Sequence, residues 1–110
     1  MKINITFLEE AESFLDSIPD KAKKKILSDM RKTEAGLRGD WFRKMSGTED
    51  IWEFRTLFSK TYYRLFAFWD STGGQRSLIV CTHGLVKKTD KTPAGEIERA
   101  ERLKREYLNG

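Results

Sequence analysis

Three apolar runs follow one another between Ile51 and Lys88, IWEFRTLFSKTYYRLFAFWDSTGGQRSLIVCTHGLVKK, and they constrain the fold more than any other feature of the chain. Strand side chains alternate between faces. In the first run this puts Trp52 and Phe54 on one side and Glu53 and Arg55 on the other. The second run, Tyr62 to Trp69, is aromatic almost throughout and carries one charge, Arg64. The third, Leu78 to His83, is apolar until its end, where Gly84 is expected to release the chain into a basic loop, Leu85-Val86-Lys87-Lys88. Three strands in series, turning at Ser59-Lys60-Thr61 and at Ser71-Thr72-Gly73-Gly74, describe an antiparallel meander. Each delivers a cation to the sheet surface or its end, and long charged side chains are rarely put in such strands for stability.

The flanking segments supply the other layer. Ile3, Ile5 and Phe7 alternate with polar residues and read as a half-buried strand. From Leu8 the period becomes helical, with Leu8, Ala11, Leu15 and Ile18 on one face and an acidic first turn that suits the helix dipole. Pro19 ends that helix and suits the first turn of a second, which buries Ala22, Ile26, Met30 and Leu27 and stops at Gly36. The run Lys21, Lys23, Lys24, Lys25 reads as a solvated helix face, with a partner-binding face as the alternative. Residues 37–50 read as a loop whose Trp41, Phe42 and Met45 pack back onto the domain. Thr92 as N-cap and Pro93 at the first helical position begin a third helix with Ile97, Ala100, Leu103 or Lys104, and Tyr107 inside. The order strand-helix-helix-strand-strand-strand-helix predicts one α+β domain over 1–110, with helices packed against a small, mostly antiparallel sheet.

At 110 residues the chain is long enough for one real core, and its 13 aromatics supply much of the burial. The single Cys81 excludes an internal disulfide, and no stretch has the apolar length of a secretory signal or a membrane span, so a cytoplasmic protein is expected. The net charge of +4 is not spread evenly. Residues 1–40 and 92–110 each balance, whereas residues 41–91 hold nine basic groups (Arg43, Lys44, Arg55, Lys60, Arg64, Arg76, Lys87, Lys88 and Lys91) against five acidic ones. A local positive field is what a polyanionic partner requires. Solvated surface charge accounts for the same excess equally well.

The residue inventory removes several chemistries. One His and one Cys do not make a zinc site of the usual kinds, and no Gly-rich phosphate loop is present. Within the strands only Glu53 and Asp70 are carboxylates, too few for a metal-dependent nuclease, and no serine stands at a strand-to-helix elbow. What remains is a cationic group, Arg55, Arg64, Lys87 and Lys88, with His83 close by. Such a group binds phosphate and stabilises the extra charge of a phosphoryl transition state without a metal or other cofactor. His83 has the one side chain with an ordinary pKa near neutrality and is a candidate for moving a proton. A structural histidine at a strand end is the competing reading, and for Arg64 the competing reading is a partner for Glu53 or Asp70.

Trp52-Glu53-Phe54-Arg55, then Tyr63-Arg64-Leu65-Phe66, then His83-Gly84-Leu85-Val86-Lys87-Lys88-Thr89 with Lys91-Thr92-Pro93, Glu96-Ile97 and Ala100, resemble the RelE/ParE toxin superfamily. The resemblance is to its phage-derived HigB-like branch and covers nearly the whole chain. It implies the toxin of a type II toxin–antitoxin system, an mRNA interferase that cleaves mRNA on the ribosome. It also implies a small antitoxin partner carrying a helix-turn-helix DNA-binding domain. By position, the resemblance makes Arg55 and Arg64 the sheet cations that grip the mRNA backbone. It puts Lys87 and Lys88 where the loop after the last strand supplies further cations. With His83, taken from its own chemistry and not a uniform catalyst of the family, the candidate catalytic residues are Arg55, Arg64, His83 and Lys87. Lys88, Lys91, Arg43 and Lys44 are then candidate RNA-binding residues, with no metal. Where several RelE members carry a tyrosine after the last basic residue, this chain has Thr89 to Pro93, so the resemblance assigns no general base.

The expected reaction is attack of a ribose 2′-hydroxyl on the adjacent phosphate, a chemistry that RNA permits and DNA does not. Two alternatives stand beside it. One is a non-nuclease toxin like the ParE arm of the superfamily, which inhibits DNA gyrase. The other is a non-catalytic module that binds nucleic acid or protein.

Overall fold

In a computed structural model of the chain, residues 2–74, 76–89 and 91–110 are described. Asp90, part of the expected loop before the last helix, lies outside them. The elements are β1 (Asn4–Phe7), α1 (Glu9–Ser17), α2 (Asp20–Glu34), β2 (Phe42–Lys44), β3 (Trp52–Phe58), β4 (Thr61–Asp70), β5 (Leu78–Lys87) and α3 (Ala94–Asn109). They form one sheet in the order β1-β5-β4-β3-β2. The expected α+β architecture is therefore present, with β1 parallel to β5 and every other pairing antiparallel.

Each face of the sheet carries its own core. On one face Phe54, Tyr63, Leu65, Ala67, Ile79 and Cys81 pack against the α1–α2 hairpin through Ala11, Leu15, Ile18, Ala22, Ile26 and Met30. On the other, Phe66, Phe68 and Val80 pack with Ile51 and with Ala100 and Tyr107 of α3. Burial on both sides explains why β4 reads as a continuous apolar run rather than an alternating one. Leu8 departs from the expected helical stripe. It is the N-cap of α1 and packs with the α3 core, not with Ala11 and Leu15.

Two boundaries differ from the sequence reading. Residues 37–50 are not all loop, because Phe42–Lys44 add a short edge strand to β3, with Arg43 opposite Glu53. Trp41, Phe42 and Met45 do pack back onto the domain as expected. Nor does Gly84 end the third strand of the meander; β5 runs on to Lys87. The reason for glycine is steric. A Cβ at Gly84 would lie 2.1 Å from Cγ of Phe14, whose ring sits where a side chain would otherwise be.

The two hairpins also differ. Ser59 and Lys60 both have positive φ, 51° and 61°, which makes β3–β4 a two-residue turn of the twist that hairpins favour. The β4–β5 connection is longer than a tight Gly-Gly turn, since β4 ends at Asp70 and β5 begins at Leu78. Among the described residues no helix is long and apolar enough to cross a membrane.

Candidate functional site

Register and alternation fix which cations share a face. Phe66 and Phe68 face α3, so Tyr62 and Arg64 of the same strand do too. Arg55 lies directly across from Arg64, Lys87 across from Tyr62, Glu53 across from Phe66 and Arg43 across from Glu53. Four cations from four adjacent strands thus stand on the α3 side of the sheet. α3 covers the Phe66–Phe68 end of that face. Toward the β3–β4 turn the face is open, with Leu57 47% exposed and Arg55, Tyr62 and Lys87 half-buried.

Between the open part and the start of α3 lies a cleft of about 320 Å³ lined by Arg43, Lys44, Met45, Ser46, Glu53, Arg64, Thr92 and Ile97. Glu53 is the single carboxylate in that lining. The hydroxyl of Thr92 is buried there with no hydrogen-bond partner among the described residues.

Arg64 does not stand free on the sheet surface as its place in the sequence suggests. It is 1% exposed, and its Nη1 donates to both Glu53 oxygens at 2.9 Å. Of the two partners that the sequence offered, Glu53 is the one taken. Glu53 is itself 1% exposed, and Nε of Arg43 lies 3.7 Å from its Oε1. Alternation assigns Glu53 to the right face but says nothing of depth, which is set by the neighbours: Arg43 on β2, Arg64 on β4 and the chain entering α3.

The guanidinium groups of Arg55 and Arg64 both lie over the ring of Tyr62, at 5.5 and 5.4 Å. Cation–π attraction offsets part of the repulsion between two arginines set directly across from each other. Sequence reasoning passed over Tyr62 as one aromatic among many. The available signal was its spacing, two residues before Arg64 and hence on the same face.

His83 is placed elsewhere. The register shift between Leu65 and Ala67 leaves Thr82 and His83 together opposite Phe66, a bulge inside β5 rather than a strand end. The imidazole is 1% exposed, stacks on Phe66 at 4.9 Å, and has Nδ1 3.1 Å from the Thr82 hydroxyl. Its Nε2 lies 3.4 Å from Glu96 in the first turn of α3. Burial, and next the charge of Arg99, hold its pKa below the ordinary histidine value, against the opposing pull of Glu96 and Glu10. His83 does not line the cleft.

Lys88 and Lys91 are exposed beyond the end of β5, and Lys44 is exposed on β2. Lys87, expected in a loop, is the last residue of the strand. Among the described residues no cluster of His, Cys, Asp and Glu has the geometry to hold a metal ion.

Comparison with solved structures finds the same fold. A free-state mutant of the E. coli toxin RelE superposes with a TM-score of 0.68 at 15% identity, covering 93% of this chain and 97% of that one. A chain of the archaeal RelE–RelB complex from Pyrococcus horikoshii OT3 gives 0.54 at 17% identity, covering 83% of this chain and 100% of that one. No curated protein matches the sequence. A family model described as phage-derived protein Gp49-like matches residues 13–105. The fold is thus RelE-like, and the chain belongs to the phage-derived Gp49-like family.

Proposed function

We propose that this protein is the toxin of a type II toxin–antitoxin pair and that it cleaves mRNA on the ribosome. The observation that carries the reading is the α3-side face: Arg43, Arg55, Arg64 and Lys87 on four adjacent strands, two of them directly opposed. Glu53 pairs with Arg64 and Tyr62 lies under both opposed arginines, yet the face still gathers four cations, with Glu53 the one carboxylate of the cleft lining, a surplus that suits an anionic ligand. A phosphodiester backbone is such a ligand, and Tyr62, with both guanidinium groups over its ring, helps to order the two arginines for it.

In this reading the strand lies across the open part of the face, with the scissile phosphate over Arg55, Arg64 and Lys87. Neutralising the phosphate lets the neighbouring 2′-oxygen attack phosphorus. That bond forms as the bond to the 5′-oxygen breaks; the 2′-hydroxyl gives up its proton and the 5′-oxygen takes one. The products are a cyclic phosphate and a 5′-hydroxyl end. The protein's contribution is fixed positive charge aimed at a transition state more negative than the substrate. Lys44, Lys88 and Lys91 extend the positive field along the RNA, and His83 holds β5 to α3.

The partner is a small antitoxin with a helix-turn-helix domain, and the RelE–RelB assembly supports a protein partner for a protein of this fold. Inducible expression without the antitoxin, with mapping of mRNA 5′ ends, tests the reading. Growth arrest accompanied by new 5′ ends within translated frames is the expected result. Arrest with intact mRNA would favour the gyrase-inhibitor alternative, and unimpaired growth with folded protein present would remove the toxin reading.

A further inference from the structure

We propose that Glu53 is a positioning residue for the reaction above: it fixes the Arg64 guanidinium at the floor of the cleft. This inference rests on the nuclease reading. Glu53 and Arg64 are each 1% exposed, and one guanidinium nitrogen is shared by both carboxylate oxygens at 2.9 Å. Glu53 is flanked by Arg43 across one strand boundary and by Arg64 diagonally across the other. It is thus a carboxylate set between one arginine on each of the two neighbouring strands.

Neither stability nor attraction for RNA accounts for that placement. Well-packed apolar residues replace a buried ion pair with little loss and often with gain. A carboxylate in a phosphate-binding face weakens the field that draws the ligand in. What it supplies is order. An arginine has many rotamers, and a guanidinium held in one of them needs no rearrangement as charge develops on the phosphate. Glu53 gives up some binding for a fixed geometry at the step that matters.

Loss of Glu53 moves affinity and rate in opposite directions, and each is read separately. Affinity is read with a single-stranded RNA oligonucleotide methylated at every 2′-oxygen, which cannot be cleaved. Rate is read as single-turnover cleavage of mRNA on programmed ribosomes. Glu53→Gln is expected to bind the oligonucleotide more tightly than wild type, because a negative charge is gone. It is expected to cleave about 10–100-fold more slowly, as misplacement of a reacting or stabilising group by about 1 Å predicts. Glu53→Asp keeps the charge with a shorter reach. It is expected to bind like wild type and cleave at an intermediate rate, and it carries the comparison if the Gln variant fails to fold.

Unchanged rate and affinity in the folded variants would make Glu53 a packing residue and overturn the proposal. A rise in both would make it an electrostatic brake and overturn it equally. If the wild type itself leaves mRNA intact, the nuclease reading fails, and nitrogen-15 spectra of the Arg64 side chain decide the positioning claim. Hindered guanidinium rotation that is lost in folded Glu53→Gln supports it; rotation that stays hindered overturns it.

Discussion

The Glu53–Arg64 pair makes the candidate site expensive to mutate, residue by residue. Removing either partner alone leaves the other charge buried, a loss of about 3–5 kcal/mol. Arg64→Ala and Glu53→Ala are each expected to lower stability on that scale, read by urea denaturation. A double replacement by apolar residues of similar volume, Arg64→Met with Glu53→Leu, is expected to cost far less than the sum of the two single changes. Additive losses would show that the two side chains stabilise the fold through separate contacts.

His83 offers a second residue-scale test. Its pKa is held below the ordinary value of about 6.5, so the unfolded chain takes up a proton that the folded chain resists. Stability is expected to fall as pH drops below about 6.5 toward the lowered folded value, and to be indifferent to this group well above neutrality. His83→Gln should flatten that acidic limb while leaving the cleavage rate of folded protein unchanged. A large loss of rate would return His83 to the reacting centre.

Single strands and helices show where local pattern suffices and where it does not. Seven of the eight elements are legible from periodicity and helix-stop signals, because each buries one stripe or both faces against a neighbour. The edge strand Phe42–Lys44 was not legible. Three residues give no period to detect, and its existence depends on β3 being already in place. Gly84 misled in a different way, reading as a breaker when its role is to admit the Phe14 ring against β5. Gly84→Ala is therefore expected to destabilise by about 1–3 kcal/mol through overpacking, without any change of strand boundary. Phe14→Ala in the same background should recover part of the loss, both read by thermal unfolding. The candidate site followed the same division. Alternation put Arg55, Arg64 and Glu53 on one face, but the burial of the pair and the role of Tyr62 arise from neighbours far along the chain.

At the scale of the whole molecule the two faces of the sheet have different tasks. The α1–α2 hairpin and its face hold most of the buried apolar side chains, and α3 covers only part of the opposite face. The excess positive charge of residues 41–91 contributes four arginine and lysine side chains to that second face. A fold stabilised on one side leaves the other free to carry surplus positive charge, which is what the proposed RNA ligand requires. Arg55 and Lys87 are the members to test, since both are half-buried and reach the open part of the face. Their replacement is expected to change stability by no more than about 0.5–1 kcal/mol. The most direct measurement is single-turnover cleavage of mRNA on programmed ribosomes by wild type, Arg55→Ala and Lys87→Ala, with the product ends analysed. Wild type is expected to give 5′-hydroxyl and cyclic phosphate ends, and each variant a rate lower by about 10²–10³-fold at wild-type stability. Wild-type rates in both folded variants would contradict the assignment of this face to the reaction.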